Sequence, residues 1–229
     1  MTAPTQESGG PGGRATSFGT QRDPSRVLAF SDGVIAISIT LLVLEIQPPH
    51  DTRHLLDGLG KLWPSYLAYV LTFLLIGQVW ANHHIMFDHI RSADRVVLFL
   101  NTLVLMDIAF LPFAASVLAG AFREGHGQRT AVVLHGAAFE LLAVLFNAIW
   151  WWVRRDRWLL TDTIDEAGVT AVTRRFRLAL VWLATGTLLG ALIPVLGLAS
   201  IGAFIVYYWL PIAGEISEAK RRRHRGHER

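Results

Sequence analysis

RVLAFSDGVIAISITLLVLEI, residues Arg26 to Ile46, is an apolar run with two acids set in it, Asp32 near the start and Glu45 near the end. About 20 consecutive apolar residues suffice to cross the hydrocarbon core of a bilayer, so the run reads as a membrane helix. A carboxylate at membrane depth is costly and by default a functional candidate. Two readings of the stretch compete: the acid is its working part, or the apolar stripe is.

The rest of the chain repeats the membrane signal. Of 229 residues, 52% are hydrophobic and only 17% charged, which is low charge for a soluble domain. Six spans are expected, at Val27–Gln47, Pro64–His84, Val96–Leu118, Thr130–Val153, Phe176–Leu198 and Ala199–Ile216. The last two divide one long apolar run, at a turn assigned to Pro194, Gly197 and Gly202, because Pro and Gly interrupt helices. Pro112 is expected to kink the third span. The fold class is therefore an all-α polytopic membrane protein with six transmembrane helices per chain. A single membrane domain occupies residues 25–218, between an N-terminal tail at 1–24 and a basic tail at 219–229. The N-terminal tail, rich in Gly, Pro, Ser and Thr and without an apolar core segment, reads as disordered and not as a signal peptide.

Basic residues orient the spans. Arg14, Arg22 and Arg26, then Arg91 and Arg95, then the arginines between spans four and five, then the C-terminal cluster all fall on one side. Only Arg53, Lys61, Arg123 and Arg129 of the 21 Lys and Arg remain for the other. Cytoplasmic loops carry the excess of Lys and Arg, so both termini are placed in the cytoplasm of a multi-pass protein of the cell membrane. The basic balance is thus explained by the membrane and implies no nucleic-acid partner.

The same sequence narrows the chemistry. With no cysteine there is no disulfide, no thiolate metal site and no cysteine nucleophile. Neither Gly-x-Ser-x-Gly nor His-Glu-x-x-His occurs, so an enzyme is not expected. His83 and His84 are adjacent and point about 100° apart on a helix, which suits two ligands of one ion poorly. No resident metal and no cofactor are expected. Orientation brings Arg26 and Asp32 of the first span, Trp80, His83 and His84 of the second and Asn101 of the third to one level near the cytoplasmic face. A network that pins these helices together makes the buried acid tolerable. Asp107, His135 and Glu140 lie deeper and would be the coupling groups if the protein were a secondary or proton-coupled transporter.

On a helical wheel Ile37, Leu41 and Leu44 form one line, with Thr40 about 60° from Ile37 and Asp32 about 140° from it. A second apolar stripe, Ile35, Ile39, Leu42 and Ile46, occupies the opposite face. Periodicity alone does not say which stripe meets lipid, protein or a pore.

The stretch also resembles the signature of the transmembrane protein 175 family of potassium channels. Arg, three residues, then Phe-Ser-Asp matches Arg26, Phe30, Ser31 and Asp32, followed by Gly-Val, the TLLVLEI ending and the pair Pro48–Pro49. Trp80, His83-His84 and Phe87 form a second matching block, and Asn101 with Phe110, Pro112 and Phe113 a third. The resemblance implies a homotetramer whose first helices surround a central pore permeable to potassium ions, and it covers nearly everything from Arg22 to Ser217. It implies that Ile37, Leu41 and Leu44 form an apolar constriction or gate in place of a carbonyl filter, with Thr40 as a neighbouring hydroxyl layer. Arg26, Phe30, Ser31, Asp32, Trp80, His83, His84 and Asn101 would then brace the first helix. Potassium ions in transit, membrane lipid and three further copies of the chain are the implied partners.

Overall fold

The computed structural model describes residues 24–49, 51 and 53–209. The tails expected at 1–24 and 219–229 lie outside the described residues, except for Pro24, which opens the first helix. The order is α1 (Pro24–Leu41), a 3-10 turn (Leu42–Glu45), α2 (Leu55–Lys61), α3 (Trp63–Asp88), α4 (Arg95–Glu124), α5 (Gln128–Arg155), a 3-10 turn (Arg157–Leu159), α6 (Glu166–Leu192) and α7 (Pro194–Trp209). An isolated antiparallel bridge joins Ile90 with Leu160. Five of these helices are long and apolar enough to cross a membrane, and α7 is a shorter apolar helix. The expected end of the sixth span, at Ile216, lies outside the described residues.

Helix boundaries follow local chemistry. α1 tightens into its 3-10 turn and stops at Ile46, whose backbone is extended. Pro48 and Pro49 follow, and a residue before proline is pushed out of the α region. α4 starts where the Asp94 carboxylate accepts from Val97 N at 2.8 Å, a side-chain cap on an otherwise unpaired backbone N–H. It runs unbroken through Pro112 to Gly125. The turn into α5 uses Gly125 and Gly127 with φ of 74° and 70°, a left-handed conformation that glycine adopts without steric cost. Asp165 caps α6 by accepting from Gly168 N at 2.7 Å.

Several boundaries differ from the sequence reading: α3 and α4 run on to Asp88 and Glu124, and α6 begins at Glu166 rather than Phe176. The break between the last two helices falls at Ile193 alone, not near Leu198. Pro194 sets it, because proline fits the first position of a new helix and excludes helical backbone before it. Gly197 instead sits inside α7 against Gly190 of α6, where a Cβ would lie 2.5 Å from Gly190 Cα. This glycine serves close helix approach, as small residues do between membrane helices. The short helix α2, on the segment that leads from α1 to α3, has no counterpart among the expected spans.

The core is organised by α5. Val132, His135, Phe139, Leu142, Phe146, Ile149 and Val153 are all buried, and their alternating spacing of three and four is that of a helix seam packed against neighbours. α4 and α6 flank α5, α7 packs on α6, and α1 lies on α3 and α4 at the other side of the bundle.

Candidate functional site

The two faces of α1 meet different surroundings. Ser31, Ile35, Ser38 and Leu42, at spacings of four, three and four, are packed against the bundle, with Ile35 2% and Leu42 1% exposed. Ile37, Leu41 and Leu44 are 61%, 42% and 70% exposed. Residues three apart eclipse in a 3-10 turn, which keeps Leu44 over Leu41 although the α-helix ends there. Thr40 is exposed beside this line and its hydroxyl donates to Ile37 O at 2.8 Å. That back-bond leaves the hydroxyl oxygen's lone pairs facing outward as acceptors.

Behind the packed face lies a chain of polar contacts at the level of Ser31. Ser31 Oγ donates to Val27 O at 2.8 Å and accepts from Asn101 Nδ2 at 3.0 Å. Asn101 Oδ1 accepts from His83 Nε2 at 2.8 Å. Ser31, Asn101 and His83 are 0%, 3% and 0% exposed, so one buried chain ties α1 to α4 and α4 to α3. The His83 ring stacks on Phe87 with centroids 4.4 Å apart and meets the edge of Phe146 from α5. Asp32 lies one residue further round α1, half-buried, and accepts from Trp80 Nε1 at 3.0 Å.

These contacts unite Ser31, Asp32, Trp80, His83 and Asn101. They do not include Arg26 or Phe30, both on the exposed surface of α1, and His84 joins them only by its ring, tilted against Trp80 with centroids 6.0 Å apart. His84 is exposed, and its ion-pair partner is Asp88, one turn on in its own helix, at 3.9 Å. The donor that Asp32 finds is the Trp80 indole rather than Arg26, a histidine or Asn101. The two adjacent histidines point to different environments, as their angular separation requires.

The deeper titratable groups do not converge. His135 shares a 2.9 Å hydrogen bond with Thr72 of α3, while Asp107 and Glu140 each keep one buried carboxylate oxygen without a partner. No hydrogen bond or ion pair among the described residues joins these three to one another.

Some structural contacts had weaker signals. Asp94 both caps α4 and accepts from Trp152 Nε1 at 2.9 Å, tying the start of α4 to the end of α5. An Asp just before an apolar run is the sequence mark of such a cap. Gln78 donates to Ile205 O of α7 and Arg175 donates to Asn82 Oδ1, both across helices. Nothing in spacing marks those partners, which lie 127 and 93 residues apart.

The family described as the endosomal/lysosomal potassium channel TMEM175 matches residues 26–112, the region that holds the α1 motif and the polar chain. A potassium channel of Streptomyces collinus is 38% identical over 188 residues, covering 81% of this chain and 91% of that protein. A potassium channel of Chamaesiphon minutus is 37% identical over 161 residues, 69% of this chain and 79% of that one. The crystal structure of a lysosomal potassium-selective channel TMEM175 homolog from Chamaesiphon minutus superposes with a TM-score of 0.74 at 33% identity, covering 82% of this chain and 96% of that one. The chain therefore belongs to the TMEM175 family, which is a family of channels and not of enzymes.

Proposed function

We propose that the protein is the subunit of a homotetrameric, potassium-permeable cation channel of the cell membrane, with six spans and both termini cytoplasmic. In this reading α1 lines the central pore, Ile37, Leu41 and Leu44 form its constriction and Thr40 its hydroxyl layer. The observation that carries the reading is the uncovered Ile37–Leu41–Leu44 line on a helix whose other face is packed. The names of the relatives support the ion.

A ring of four isoleucines offers an ion no ligands. When narrow it dewets and closes the pore, a recognised way for a hydrophobic constriction to gate. Conduction then needs a tilt or rotation of α1 that widens the ring. A cation passes partly dehydrated, and the less strongly hydrated cation loses less, so potassium is preferred to sodium by a moderate factor. Thr40 hydroxyl oxygens accept from water or face the ion beside the ring. The buried Ser31–Asn101–His83 chain and the Asp32–Trp80 bond brace α1 on α3 and α4 and set its angle.

A carrier worked by Asp107, Glu140 and His135 is less well supported, because those groups are not assembled into one site. Recording from purified protein in a planar bilayer under mixed potassium and sodium separates the two. Unitary currents reversing toward the potassium potential are expected. Saturable, substrate-dependent flux without unitary currents would replace the channel reading by the carrier.

A further inference from the structure

The cytoplasmic junction of α5 and α6 carries more cations than its own acids neutralise. Around it Arg91 pairs with Asp162, Arg157 pairs with Glu166, and Asp165 is held as the cap of α6. The acids are thus engaged, and arginines are left over. Arg174 and Arg177, three residues apart on α6, are exposed and have no ion-pair or hydrogen-bond partner among the described residues. Arg154 of α5 faces the same groove, whose lining also includes Val169, Thr170, Val181 and Glu166, the last with its carboxylate paired to Arg157. Its guanidinium is fixed by donation to Thr173 Oγ1 at 3.3 Å, the hydroxyl that also accepts from Trp150 Nε1 at 2.9 Å.

The groove is polar at one end and apolar at the other. Beyond Arg174 and Arg177 the same face of α6 continues with Val181, Leu188 and Leu192, which are 63%, 68% and 69% exposed. In the adjoining cavity, which shares Arg154 with the groove, Trp151 is exposed and lies under Arg155, with the guanidinium 5.6 Å from the ring centroid. Exposed tryptophan beside arginine marks the headgroup level of a membrane. α6 packs on α5 and α7, whereas α1 packs on α3 and α4. In a tetramer built around α1, this face of α6 is at the periphery, toward lipid.

We propose that this groove binds an anionic phospholipid, its phosphate held by Arg154, Arg174 and Arg177 and its acyl chain laid along Val181 toward Leu188 and Leu192. The inference rests on the reading of α1 as the tetramer's centre. A basic pocket between membrane helices on the cytoplasmic side is suited to acidic lipid headgroups, and planar guanidinium groups match phosphate oxygens in pairs. The chain's own basic run Lys220–Arg223 has the wrong sign to fill it.

The test uses native mass spectrometry of the purified full chain with phosphatidylglycerol or phosphatidylcholine. Wild type should retain phosphatidylglycerol in preference to phosphatidylcholine. One basic residue near a charged surface is worth about fivefold in affinity, so Arg174→Gln with Arg177→Gln should lower phosphatidylglycerol affinity on the order of 25-fold. The pair Arg174→Lys and Arg177→Lys, which keeps the charge but not the planar fork, should lose less than the Gln pair, and Arg123→Gln with Arg129→Gln, at the other end of the bundle, should change nothing. Should the double Gln variant aggregate, Arg177→Gln alone should still show a loss of about fivefold. Equal retention of the two lipids by wild type, or unchanged phosphatidylglycerol binding in the Gln variants, overturns the proposal. Displacement of the lipid by inorganic phosphate at equal concentration assigns the groove to a soluble anion and overturns it too. The readout is independent of current. Protein that binds phosphatidylglycerol but never conducts contradicts the channel reading alone, and conducting protein indifferent to the lipid contradicts this one alone.

Discussion

α1 and α5 are both apolar membrane helices, yet the bundle treats them in opposite ways. α5 is buried along a seam from Val132 to Val153, and the side chains of that seam hold the protomer together. α1 is packed along one face only and presents Ile37, Leu41 and Leu44 outward. Helices in lipid gain little from simple apolar contact, since lipid tails are as apolar as leucine. Close fit and hydrogen bonds are what attach one helix to another. The polar chain through Ser31, Asn101 and His83 is therefore the specific attachment of α1, and its outward line is left free for other work.

That contrast can be broken or sharpened by substitution. The largest effect on stability should come from the packed face: Leu42→Ala removes a side chain that is 1% exposed and should cost about 2 kcal/mol, the lower end of the range for such cavities, because little transfer energy is at stake in lipid. Thermal unfolding of the purified protein, followed by size-exclusion chromatography, reads this loss. Next comes Asn101→Ala, which leaves His83 Nε2 without a partner and Ser31 Oγ with only its bond to Val27 O, and should cost about 1–2 kcal/mol by the same assay. The smallest effect belongs to the exposed line, where Leu41→Ala should change stability by less than about 0.5 kcal/mol while increasing leak through the proposed constriction. If Leu41→Ala destabilised the protomer as much as Leu42→Ala, the two faces would not differ as described.

Much of this was legible in the sequence, and the reason lies in where each signal resides. The α1 motif compresses fold and attachment into neighbouring residues, and apolar length alone marks the long helices. The wheel separated the Ile37 line from the Ile35 line but could not say which one packs. Both are equally apolar, and only the tertiary neighbours distinguish them. By level alone Arg26, a histidine or Asn101 can each donate to Asp32, yet the Trp80 indole occupies that place, a choice set by how α3 leans on α1. The break falls at Ile193 and not near Leu198 because Gly197, a turn residue by composition alone, is a packing glycine against Gly190. The Thr72–His135 hydrogen bond joins residues 63 positions apart and leaves no trace in local pattern.

The central claim is that the exposed line of α1 faces water and ions rather than lipid. The chain contains no cysteine, so a single introduced thiol is the only one present. Ile37→Cys and Val43→Cys both place it at exposed positions of α1 and its 3-10 turn, with Val43 52% exposed but off the Ile37 line. Single-channel recording in a planar bilayer during addition of a charged, membrane-impermeant thiol reagent distinguishes them. The account predicts that current through Ile37→Cys channels changes on modification while Val43→Cys channels are unaffected. Conducting Ile37→Cys channels inert to the reagent, with block at Val43→Cys instead, would contradict it.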